Sequence, residues 1–102
     1  MGDNESELSV EQQVIRVFTE KLNFVNESII KHNRSVPLTW EPFNFSAVQL
    51  IYLFLEIEKN FSIHIPEKYL HDYGFNSVDQ IIIIVNECTD RISHNLYESK
   101  KQ

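Results

Sequence analysis

The sequence predicts an all-α domain, and three observations carry that prediction. Apolar residues recur three and four apart over two long stretches: Val10, Val14, Val17, Phe18, Leu22, Val25, Ile29 and Ile30 near the start, and Val78, Ile81, Ile82, Val85, Cys88, Ile92 and Leu96 near the end. That period turns one stripe of a helix toward a core. Ser9 with Gln12 and Ser77 with Gln80 stand at the heads of these stretches, and a Ser-x-x-Gln pair can satisfy two of the backbone donors that a helix start leaves free. Only two Gly and three Pro occur in 102 residues of which 42% are apolar. Such a composition fits a compact helical protein better than a disordered chain, a collagen or a turn-rich sandwich. A chain of this length makes one domain around one core, burying about 65% of its unfolded surface. The expected layout is a flexible lead over residues 1–8, one domain over 9–97 and a flexible tail over 98–102.

The first helix should start at Ser9 and stop near His32. Pro37 and Pro42 lack a backbone donor and push their predecessors toward extended geometry, so residues 33–45 should form a loop. Trp40, Phe43 and Phe45 in that loop either pin it to the bundle or make a binding platform, and pinning is the preferred reading. From Val48 to Ile57, eight of ten residues are apolar or aromatic. A helix apolar around most of its circumference is either central to its domain or carries a second contact surface. Phe61-Ser62-Ile63-His64-Ile65 alternates and reads, on pattern alone, as a short strand. In the last helix, capped by Asn76 or Ser77, the run Ile81-Ile82-Ile83-Ile84-Val85 is β-branched throughout and competes as a strand. Helical spacing that continues well past strand length decides for the helix.

The most apolar stretch opens with Phe43-Asn44-Phe45-Ser46-Ala47-Val48, and fourteen residues after Ala47 comes Phe61-Ser62-Ile63-His64-Ile65-Pro66. This layout resembles an acyl carrier protein. Carriers of that family place an Asp-Ser-Leu triplet at the head of their second helix and a Phe-x-Ile-x-Ile-Pro segment at the same distance beyond it. Val17-Phe18-Thr19-Glu20-Lys21-Leu22-Asn23-Phe24 is similar to the end of the family's first helix, and Phe75-Asn76-Ser77-Val78-Asp79-Gln80-Ile81 to the start of its last. The resemblance therefore runs from about Ser9 to Ile92. It implies an acyl-carrier-like four-helix bundle with a long loop between helices 1 and 2 and a short third helix, opened by Pro66 and closed near Tyr73 by Gly74. It also implies that residues 61–65 form an extended connection whose apolar side chains dip into the core, and this overrules the strand.

At the position of the carrier serine this chain has Ala47. The family serine holds a phosphopantetheine arm as a phosphodiester, which needs a hydroxyl, and a methyl group offers no oxygen. The resemblance thus implies a carrier-like protein without its arm, and no cofactor. Ser46 is the adjacent hydroxyl, but one residue along a helix means about 1.5 Å of rise and 100° of rotation, and Phe45 precedes it where the family presents an acidic residue. Ser46 reads as the cap of the second helix. The alternative is a genuine acyl or peptidyl carrier, modified at Ser46 or at a native serine exchanged for Ala47. Serine-lacking relatives of carriers occur in bacterial peptide-maturation systems, and this chain is similar to them in size and in its altered motif. Carriers line the outer face of the second helix with carboxylates that meet basic groups on their enzymes. Here that face has Gln49 and Tyr52, with Lys59 and Asn60 nearer the end, and only Glu56 and Glu58 are acidic. The expected docking residues are Gln49, Tyr52 and Glu56, meeting a biosynthetic or maturation enzyme through apolar contact in place of charge steering.

Other classes find little support. A net charge of −6 disfavours nucleic acid and reads as solubility ahead of attraction to basic partners. Residues 1–8 show no basic start followed by an apolar run, so no secretory signal is read there and a cytoplasmic monomer is expected. The longest apolar segments, 50–57 and 81–85, fall short of the roughly 20 residues that cross a bilayer. Cys88 is the one cysteine, which excludes an internal disulfide and a thiolate cluster and reads as a small buried helix residue. Triplets such as Asn26-Glu27-Ser28 and Asn33-Arg34-Ser35 reflect Asn-rich composition. His32, His64, His71 and His94 have no mutual metal-ligand spacing, and His71 with Asp72 reads as solvated ahead of lining a partner surface. No Gly-rich phosphate loop, His-Glu-x-x-His pair or nucleophile elbow occurs, so no catalytic or metal residues are assigned and no enzyme is expected.

Overall fold

The computed structural model describes residues 9–24 and 26–101, the side chains of 72, 73 and 90–101 excepted. The expected flexible lead, Val25, and the side chains of Asp72, Ile92, His94 and Leu96 lie outside the described residues. Within them the chain is all-α: α1 (Val10–Arg16) runs into a π-helical turn (Val17–Lys21), followed by α2 (Glu27–His32), α3 (Ala47–Phe61), α4 (Glu67–Tyr73) and α5 (Val78–Lys101). No strand occurs among the described residues. Helix α5 takes in residues 98–101 of the segment read as a tail.

The single first helix expected from Ser9 to His32 is broken in two. It starts as the sequence dictates: the Gln12 N–H donates to Ser9 Oγ and the Ser9 N–H to Gln12 Oε1, each at 3.1 Å. The break follows Lys21. The Leu22 N–H reaches back to the Val17 carbonyl, five residues away, at 3.3 Å. Asn23 then takes φ +57°, the left-handed region that Asn tolerates better than most residues. Asn26 caps the new helix, its Oδ1 accepting from the Ile29 N–H at 3.3 Å. The interruption turns Phe24 back onto Phe43 and Phe45, with ring centroids 5.2 and 6.2 Å away. Phe18, on the π-turn, lies 6.2 and 5.9 Å from the same two rings. Apolar contact between distant segments has overridden a local helical pattern.

The connection from residue 33 to 46 is held by its own apolar side chains. Leu38 is wholly buried and Phe43 and Phe45 nearly so. Backbone hydrogen bonds anchor it at both ends: the Leu38 N–H donates to Asn76 O at 2.7 Å, and the Phe45 N–H to Leu38 O at 2.8 Å. Arg34 adds a polar clasp. Its Nε and Nη1 lie 2.8 Å from Asp79 Oδ1 and Glu11 Oε2, tying α5 to α1, while its carbonyl accepts from the Asp79 N–H at 2.9 Å. Trp40 corrects the sequence reading. It was grouped with the two phenylalanines as an anchor, yet its side chain is 65% exposed, and only its backbone serves the turn, its carbonyl accepting from the Phe43 and Asn44 N–H groups.

The alternating segment after α3 is an extended connection, with Ile63 and Ile65 buried and His64 exposed. It leaves α3 through Ser62 at φ +55°, ψ +46°, where the Ile63 N–H bonds Glu58 O at 3.0 Å and the Ser62 N–H bonds Lys59 O at 3.3 Å. That is a Schellman turn with serine where glycine is usual. Gly74 ends α4 with φ +75° and ψ 170°, outside the left-handed helical region expected for it but still in territory that glycine alone occupies readily. In α5, the Gln80 N–H donates to Ser77 Oγ at 3.2 Å, but Gln80 Oε1 accepts from Asn76 rather than Ser77, at 3.0 Å. The expected capping box is therefore shifted by one residue on its return arm. Ile81, Ile84, Val85 and Cys88 face the core, so the β-branched run is helical as its longer period required.

Two measurements check this packing. Leu38→Ala removes a fully buried side chain and is expected to destabilise the fold by about 2–5 kcal/mol, whereas a loss near zero in a denaturant titration would mean that the connection does not contribute to the core. Ser62→Gly relieves the left-handed strain and is expected to stabilise by about 0.5–1 kcal/mol, seen as a higher Tm.

Candidate docking site

Helix α3 positions every residue singled out from the sequence as a site. Its start is fixed by Ser46, whose Oγ accepts from the Gln49 N–H at 3.2 Å while Gln49 Oε1 accepts from the Ser46 N–H at 2.8 Å. Ser46 alone was expected as the cap, and Gln49 completes it as a capping box. It gives Ser46 the structural task proposed for it, and it gives Gln49, expected as a docking residue, a second one. Ala47 is the first residue of the helix and is exposed. A methyl group therefore stands at the solvent-facing head of α3, beside a hydroxyl already accepting a backbone hydrogen bond.

The rest of α3 divides by face. Leu53 and Ile57 are fully buried, with Leu50 and Phe54 packed partly against the core and the Phe54 ring edge-on to Phe75 at 5.4 Å. On the other side Val48, Ile51, Tyr52 and Leu55 are exposed by 74%, 61%, 43% and 54%. Their spacing of i, i+3, i+4 and i+7 places all four within an arc of about 100°. Helix α3 is thus central to the domain on one side and leaves four apolar side chains exposed on the other. Tyr52 is part of this stripe and Gln49 and half-buried Glu56 border one edge, so the three expected docking residues share one side of α3. Val48, Ile51 and Leu55 were missed as site residues, although their spacing with Tyr52 was the signal.

Glu58 does not belong to that face. Its Oε2 accepts from the Ile65 N–H at 2.8 Å and lies 3.4 Å from His64 Nδ1, clamping the extended connection to the end of α3. Glu58, one of the two carboxylates noted on this helix, is thereby engaged within the fold. Two of the histidines have local partners: His71 Nε2 is 3.8 Å from Glu67 Oε2, and His32 Nδ1 is 2.8 Å from the Ser28 carbonyl. Among the described residues no three His, Cys, Asp or Glu side chains form a group that could hold a metal, and no helix is long and apolar enough to cross a membrane.

The clamp is testable. Glu58→Ala leaves the Ile65 N–H without its acceptor and is expected to cost about 1–3 kcal/mol, while Glu58→Gln keeps an oxygen there and should retain most of the stability. Equal losses would contradict a hydrogen-bonding role.

Compared with known proteins, the chain matches no family model, no curated protein and no solved structure.

Proposed function

We propose that the protein is a noncatalytic, acyl-carrier-like interaction protein of the cytoplasm that docks through α3 on a biosynthetic or peptide-maturation enzyme and carries no phosphopantetheine. In this reading α1 with its π-turn, α3, α4 and α5 correspond to the four carrier helices, and α2 is an added turn in the long connection. The observation that supports it best is the exposed apolar stripe of Val48, Ile51, Tyr52 and Leu55 starting one residue after Ala47. A carrier presents this helix to its enzymes and hangs its arm from the head of it. Here the docking side is retained as an apolar surface, while the atom that would bear the arm is a methyl carbon. Solvent-exposed apolar groups in register along a helix cost solubility and contribute nothing to the core, so a contact surface accounts for them.

The two halves of the proposal are tested separately. Intact mass after incubation with coenzyme A and a broad-specificity phosphopantetheinyl transferase is expected to be unchanged for the chain and for Ser46→Ala alike. An added arm that disappears in Ser46→Ala would establish the displaced-carrier alternative. For docking, Tyr52→Glu places a charge inside the stripe and is expected to reduce partner capture in a pull-down, and undiminished capture would count against this surface.

A further inference from the structure

The joint between α1 and α2 sits on a stretch of chain that fits two helical arrangements. No glycine or proline occurs from residue 10 to residue 32, so nothing in the composition forbids one continuous helix there. In such a helix Phe18, Leu22, Val25 and Ile29 stand within an arc of about 60°, and Phe24 and Ile30 lie about 120° to either side of it. The folded chain uses the other set. Ile30 is fully buried and Phe24 packs on Phe43 and Phe45, whereas Leu22 and Ile29 are half-buried. This choice is held against a local cost: Asn23 is left-handed at φ +57°, and the Leu22 N–H spans five residues to reach Val17 O at 3.3 Å, longer than an ordinary backbone bond. One arrangement is therefore favoured by backbone geometry and the other by contact with the connection.

We propose that residues 17–26 are a two-state joint, in which the broken form exchanges with a continuous helix over residues 10–32 and Phe24 is the latch. A π-turn and a left-handed residue other than glycine persist where tertiary contact over-determines them, and here that contact is the packing of Phe24 on two rings. Straightening takes Phe24 and Ile30 off the core together and continues the α1 stripe through Leu22, Val25 and Ile29 instead. Phe43 and Phe45 then lose a partner, and these rings hold the end of the connection from which Ser46 caps α3. The joint thus couples the break after α1 to the head of α3, whether or not α3 docks on anything.

Chemical-exchange saturation transfer NMR on the full chain tests this, read through the Cα shifts that report helicity at residues 22–26. A minor state of roughly 1–10% with helical shifts at these positions is expected, with the same exchange rate at Phe43 and Phe45. Asn23→Gly accepts the left-handed turn and weakens a continuous helix, so it is expected to lower that population about fivefold or more. Asn23→Ala combined with Phe24→Ala does the reverse. It is expected to make the helical shifts the major ones while the signals of Leu53 and Ile57 stay dispersed. Non-helical shifts at 22–26 in that folded double variant, or a minor population unmoved by Asn23→Gly, would overturn the joint. So would an unaltered chain without a helical minor state, even where the double variant unfolds. Exchange confined to residues 22–26 would overturn Phe24 as the latch.

Discussion

Phe18 from the π-turn, Phe24 from the link that follows it, and Phe43 and Phe45 from the long connection meet ring to ring, with centroids 5.2 to 6.2 Å apart. Three separate stretches are thereby held by one apolar cluster. Aromatic pairs in such arrangements add about 0.5–1.5 kcal/mol each beyond the area they bury, and burying each ring contributes more. The cluster fixes where the connection ends, and Ser46 then fixes where α3 begins. That start determines which side of α3 the core consumes and which it leaves to solvent.

Helix α3 has more apolar residues than one buried side can use. The core takes Leu53 and Ile57 completely and Leu50 and Phe54 in part. Beside them the core takes Leu38, Phe43 and Phe45 from the connection and Ile63 and Ile65 from the segment after α3. These short extended pieces supply the packing that a longer helix would supply elsewhere. The outward stripe is therefore not a failure of folding but a surplus that the fold leaves accessible. Trp40, exposed between buried Leu38 and Phe43, is a further outward apolar residue. The physical consequence is an exposed apolar face on a protein of net charge −6.

Much of this was legible in the sequence, and the parts that were not have identifiable causes. Periodicity found α1 and α5, the apolar run of 48–57 and the carrier resemblance placed α3, and at 81–85 helical spacing outweighed the β-branched run because it persisted beyond it. The extended course of residues 61–65 required more than pattern, since alternation alone reads as a strand. The break after Lys21 was hidden because apolar spacing continues straight through it. Asn23 and Asn26 were the only local hints, and the reason for the break, Phe24 reaching the connection's aromatics, is a contact across some twenty residues that no local rule contains. For the candidate site, Ser46 as a cap and Tyr52 as a surface residue were readable. The inward turn of Glu58 and the exposure of Trp40 were not, because each depends on which neighbour the folded chain brings near.

The central claim is that the head of α3 lacks the oxygen on which an arm is grafted, so that the protein docks without carrying a thioester. An intact-mass spectrum of the protein isolated from its native cells tests this most directly. The account predicts a mass with no covalently attached pantetheine. A spectrum dominated by a phosphopantetheinylated species would contradict it.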